Sequence, residues 1–219
     1  GFSANVMSLF PNTTSKESIL TPKEEKERAL RKFFSDAGVL IARHKESEGT
    51  LSVALKGGNN GENHNHNDVG SFSIVKGKEM LIGDVGGPFH YAGDMWTEKR
   101  YDFKSLSSYG HPVPVLNNTL QLTGKCAQAK IIRTDFSDER DIFELDLSNA
   151  YKHNNLKKII RKFAYERSRQ GSLIIEDDFE FTTLGTFETA LTIFGEWEQT
   201  EKNVLVVKGK NEAMLVKII

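Results

Sequence analysis

Two hydrophobic periods divide the chain, and they change over at Gly38. Before it, Ala29, Leu30, Phe33, Phe34 and Ala37 recur at the spacing of one helix face, while Thr21, Pro22 and Glu24 supply a cap, a first-turn proline and a capping-box acid. The spacing predicts a helix from Pro22 to Asp36, with Lys23 to Glu27, Arg31 and Lys32 on its solvated side. After Gly38 apolar and polar residues alternate nearly to the end, which is the period of half-buried strands. Strands are expected at Val39 to Ala42, Leu51 to Leu55, Ser71 to Val75, Glu79 to Asp84, Ala129 to Phe136, Asp141 to Leu147, Lys158 to Tyr165, Leu173 to Phe181, Phe187 to Phe194 and Val204 to Val207. The clearest is Leu173 to Phe181, where Leu173, Ile175, Phe179 and Phe181 face one way and Glu176, Asp178 and Glu180 the other. Asp177 interrupts its apolar side.

No helical pattern separates these strands, as a doubly wound α/β fold would require. The expected fold is therefore all-β: a large antiparallel β-sandwich of about ten or more strands with one N-terminal helix. Residues 1–38 read as a linker segment and helix, and residues 39–219 as the sandwich domain.

Composition narrows the function classes. A chain of 219 residues with 38% hydrophobic content can fill a core, which excludes a disordered segment. Lys and Arg total 29 against 30 Asp and Glu, so no global field draws nucleic acid or an acidic membrane surface. The single Cys126 excludes an intramolecular disulfide, a four-cysteine zinc module and an iron–sulfur cluster. No apolar run approaches the roughly 20 residues of a membrane-spanning helix. The chain opens mid-pattern and stops inside the apolar run Met214 to Ile219, which reads as a piece of a longer protein.

The chemistry concentrates in Gly57 to Asp68, a stretch of glycines, asparagines and acids that holds His64 and His66. In an extended segment residues two apart point to the same side, so both rings can address one small volume, such as a metal and a substrate beside it. A polar surface loop with incidental histidines is the other reading of that spacing. Downstream, Asp84 ends an apolar strand between Gly83 and Val85, where a buried carboxylate needs a partner. His111 is held out of helix by Pro112. Each is equally readable as a turn or cap residue. If Lys76 to Lys78 turns a hairpin, a straight strand keeps Asp84 on the order of 16 Å from His66. The chain near Asp68 to Gly70 must then fold back for the two to meet.

Four separated motifs occur together: Gly57 to Phe72 with its His-x-His-x-Asp, Ile82 to Gly86, Arg100-Tyr101, and Ser108 to His111. In this order they resemble the C-terminal β-sandwich domain of the heparinase II/III-like polysaccharide lyases, relatives of certain alginate lyases, over roughly Val39 to Ile219. The resemblance implies that His64 lies by the substrate and that His66, Asp84 and His111 hold zinc, with manganese or iron as alternatives. It implies a catalytic position for Tyr101. It further implies β-elimination on a uronic-acid-containing acidic polysaccharide such as a glycosaminoglycan or alginate, in an exported bacterial protein, periplasmic or secreted. In that family the principal tyrosine and an asparagine–histidine pair lie on a helical toroid domain that precedes the sandwich. Its absence here makes this chain a half-site, expected to be inactive alone. Arg100, Arg161, Lys162, Arg167 and Arg169 could contact an acidic glycan, though solvated surface is their simplest role.

Two other metal families fit less well. A cupin needs a glutamate four or five positions after His66, where Gly70 and Ser71 stand, and a metallo-β-lactamase-like site needs a histidine where Val69 stands. The rival of a different class is a non-catalytic module, a glycan-binding or structural β-sandwich with a structural metal.

Overall fold

The computed structural model describes residues 29–46, 48–87, 93–151 and 154–219. The first strands are β1 (Arg31–Phe34), β2 (Val39–Arg43), β3 (Leu51–Lys56), β4 (Asn59–Asn60), β5 (Phe72–Lys76) and β6 (Glu79–Ile82). Then come β7 (Pro114–Leu116), β8 (Gly124–Gln128), β9 (Lys130–Phe136), β10 (Arg140–Asp146), β11 (Leu156–Glu166) and β12 (Ser172–Phe181). The last are β13 (Phe187–Thr189), β14 (Glu196–Glu201), β15 (Val204–Lys208) and β16 (Ala213–Lys217). Among the described residues the helical segments are short 3-10 turns, and no helix is long and apolar enough to cross a membrane.

A five-stranded antiparallel sheet, ordered β1-β2-β3-β5-β6, faces a four-stranded one, ordered β12-β11-β10-β9. Leu40, Val53, Leu55, Phe72 and Ile74 from the first sheet pack on Phe143, Leu145, Ile159, Phe163 and Tyr165 from the second. Phe72 meets Phe163 edge-on at 6.1 Å. The fold is the expected all-β sandwich. Smaller ladders, β4-β8, β7-β13 and β14-β15-β16, fill its margins.

The expected N-terminal helix is not what its last residues form. Its capping residues lie outside the described residues, but Arg31–Phe34 is a strand paired with β2, Arg31 opposite Ala42 and Phe34 opposite Val39. The five apolar residues of positions 29–37 keep a helix-face spacing and do not alternate, so the local pattern favours a helix where pairing with β2 makes a strand. Tertiary packing decides between them: Phe33 turns inward, edge-on to Phe136 at 5.6 Å and Phe143 at 5.8 Å, while Phe34 is exposed. The first sheet thus begins at Arg31, ahead of the boundary expected at residue 38. The expected strand Phe187 to Phe194 is cut to Phe187–Thr189, with a single bridge from Ile193 to Ile82 beyond it.

Candidate metal centre

Three chain segments converge beside the open end of the first sheet. The segment before β5 is built by its own amides. Asn65 Nδ2 donates to the carbonyls of Asn60 at 2.6 Å and His66 at 3.0 Å, and the Asn67 N–H donates to Leu106 O at 3.0 Å. The fold-back required near Asp68 is present: the Ser71 N–H donates to Asp68 O, and Gly70 sits at φ +86°. A Cβ at Gly70 would stand 2.7 Å from Leu147 Cδ1, so the turn needs glycine both for its backbone angle and for its closeness to the core. The third segment is a tight 3-10 turn, Ser108–Gly110, in which a Cβ on Gly110 would meet Lys104 O at 2.5 Å.

These turns bring His66, Asp84 and His111 together, with one potential ligand atom from each lying within 4.8 Å of the others. Nδ1 of His111 is 2.8 Å from Oδ2 of Asp84, and the His66 and His111 rings are 5.2 Å apart, centre to centre. Asp84 Oδ1 also accepts from the Gly86 N–H at 2.6 Å. His66 and His111 are buried.

Burial, aided by the nearby His111 charge, lowers the His66 pKa to about 4, so this ring is neutral. Burial alone would also lower His111, but the hydrogen bond and charge of Asp84 outweigh it and raise its pKa. The same pairing holds the Asp84 carboxyl below the usual carboxylate range against the opposing effect of burial.

The donor set fits a divalent ion of zinc type. Two imidazoles and one carboxylate supply borderline nitrogens and a hard oxygen, leaving a place for water in a four-coordinate shell. His111 Nε2 is buried and has no hydrogen-bond partner among the described residues, a cost that a bound ion or water would remove.

His64 stands apart from this group in character. It is exposed and left-handed at φ 58°, so the segment is not extended and the expected alternation does not hold. Its ring meets Trp96 edge-on at 5.1 Å. Tyr101 donates its hydroxyl to Asn65 Oδ1 at 2.9 Å. Arg100 donates through Nε and Nη2 to Asn65 O and through Nη1 to Met95 O. Asn65, between the two histidines, is therefore where the Arg100-Tyr101 turn grips the loop.

Asp68, the acid of the His-x-His-x-Asp, has a partner that the motif does not reveal, Lys56. Lys56 Nζ lies 2.6 Å from Asp68 Oδ1, and its pKa is raised because the charge and hydrogen bond of Asp68 outweigh burial. The cations proposed as glycan contacts divide. Arg161 and Arg167 are buried and ion-paired, to Asp177 and Asp141, so neither is a solvated surface cation. Arg169 is exposed in a turn, and Lys162 pairs with Glu176 at the surface.

No protein-family model matches the sequence, and no curated protein matches it. Solved structures do. Heparan sulfate lyase HepC from Pedobacter heparinus matches with a TM-score of 0.65 and 18% identity over 84% of this chain. A heparinase III matches at 0.66 and 16% over 85%, and another heparinase III gene product at 0.67 and 15% over 86%. The chain spans only 28% or 29% of the length of these proteins. At such identities the likeness is one of fold, and the fold is the heparinase-type sandwich that the motifs resemble.

Proposed function

We propose that this chain is the metal-binding sandwich domain of an exported polysaccharide lyase, one that cleaves uronic-acid-containing acidic polysaccharide by β-elimination and is inactive as an isolated 219-residue chain. The observation that carries this reading is the meeting of His66, Asp84 and His111 from three separate segments in a heparinase-type sandwich.

In the proposed reaction the C5–H bond of a uronate breaks and its electron pair forms the C4=C5 double bond. The C4–O4 bond breaks, and a proton goes to the leaving oxygen. The C5 proton is weakly acidic, so charge developing on the carboxylate has to be stabilised by nearby donors. His64, exposed and braced by Trp96, is the group on this chain best placed to meet such a substrate. Tyr101 would have to exchange its bond to Asn65 for one to substrate. A zinc ion, when bound, supplies a fixed positive charge that anchors the loop carrying His64. His66, two residues from His64 and buried, transmits that anchoring, a supporting role for the ion's ligands.

The remaining acid and base belong, on this reading, to a helical domain of the parent protein, which is the domain partner of this chain. Incubation of the purified chain with heparan sulfate, hyaluronan or alginate should release almost no unsaturated uronide absorbance. The same assay on a parent form carrying the helical domain should release it, and His64→Ala in that form should abolish it. Binding of the glycan without unsaturated ends by the longer form would instead identify a non-catalytic module.

A further inference from the structure

Strand alternation places Ile159, Arg161, Phe163 and Tyr165 of β11 on one face, and that face is the core of the sandwich. Arg161 is 1% exposed among these apolar side chains. A guanidinium in such a place must use its donors, and this one uses all five. Nε and Nη2 bind the two Asp177 oxygens, each at 2.7 Å, and Nη2 also reaches Thr189 Oγ1 at 3.3 Å. The two N–H groups of Nη1 go to Gly70 O and Pro112 O, both at 2.9 Å. Gly70 closes the turn that follows His66, and Pro112 is the residue after His111.

We infer that Arg161 is a positioning residue for the metal centre, pinning the His66 and His111 loops to the sandwich core through the Gly70 and Pro112 carbonyls. The inference rests on the metal reading above. Arg161 needs a planar fork held by Asp177 to aim Nη1 at both carbonyls, which a lysine cannot reproduce. Arg167 is an internal contrast. It is also buried and ion-paired, to Asp141, but its other acceptors are the carbonyls of Arg43, Ser137 and Leu30, none of them on a ligand loop.

The test is a Co2+ titration of the metal-free chain, read by visible absorption, with the thermal midpoint measured in parallel. R161K and the charge-free pair R161M/D177L are expected to bind Co2+ at least about tenfold more weakly than the unaltered chain, the usual range for residues that orient ligands. R167K is expected to lower the midpoint while leaving the affinity within about twofold, as befits a change remote from the ligands. The paired variant keeps the test open if R161K does not fold, because removing both charges leaves none buried alone. Unchanged Co2+ affinity in the folded Arg161 variants, or an equal loss in R167K, overturns the inference. Failure of the unaltered chain to bind Co2+ overturns the metal reading itself, and the inference with it.

Discussion

The contact between Asp84 and His111, 2.8 Å from Oδ2 to Nδ1, ties the end of β6 to the loop that enters β7. His66 reaches the same place from a third segment, so the centre closes only when the two ends of the β5-β6 hairpin and the loop before β7 are all in position.

An ion that bridges these segments stabilises the fold by binding the native state alone. At a thousandfold excess over Kd the gain is about 4 kcal/mol. Purified protein should carry about one divalent ion per chain, and removal by a chelator should lower the thermal midpoint by on the order of 10 °C. His66→Ala and His111→Ala should each lose the ion. Equal metal content in all three proteins, by elemental analysis, would refute the ligand assignment.

Asn65 and Tyr101 form one hydrogen-bonded unit, since the Tyr101 hydroxyl donates to Asn65 Oδ1 while the Asn65 amide donates to two carbonyls of the His64 loop. Tyr101→Phe should cost about 1 kcal/mol and Asn65→Ala roughly 2 kcal/mol in urea unfolding. The double variant should fall short of their sum by about 1 kcal/mol. Strict additivity would mean that the contact contributes nothing in solution.

Lys56 neutralises Asp68 at 2.6 Å where both side chains are largely covered. Lys56→Met should destabilise the chain by roughly 3–5 kcal/mol, because it strands a buried carboxylate, and Lys56→Met with Asp68→Asn should recover much of the loss. Matching midpoints for the single and double variants would show that Asp68 is solvated without its lysine.

Most of the sandwich was legible in the sequence because alternation is a local signal. Leu173 to Phe181 and Leu51 to Leu55 fall within a residue of β12 and β3. The strand Arg31–Phe34 was not legible, because its apolar residues are spaced as on a helix face; its form comes from pairing with β2 and from the inward turn of Phe33, both set by distant residues. Asp177 looked like a flaw in an apolar row. Its reason stands on the neighbouring strand, where Arg161 is its direct partner across β11 and β12. The three residues that converge, His66, Asp84 and His111, were visible as motifs. The lysine that faces Asp68 and the arginine behind both loops were not, because each is defined by a partner distant in the chain.

Two buried phenols should make the fold less stable at alkaline pH. Tyr151 donates to Pro114 O at 2.6 Å and accepts from Gln121 Nε2 at 3.1 Å; Tyr165 donates to Leu51 O. Burial raises the pKa of both above the ordinary phenol value. The native state therefore keeps two protons that the unfolded chain gives up near pH 10, so the unfolded state binds fewer protons and stability falls as pH rises. Below pH 10 neither group contributes a slope. Above it each should remove about 1.4 kcal/mol per pH unit until its raised native pKa is reached. Urea unfolding between pH 9.5 and 11.5 measures this directly, and Tyr151→Phe isolates one phenol from every other group that titrates there. The variant should start less stable by about 1 kcal/mol at pH 9 and lose stability more slowly above pH 10, so that the two curves converge. Parallel curves would show that the Tyr151 hydroxyl ionises as readily in the folded protein as in the unfolded chain.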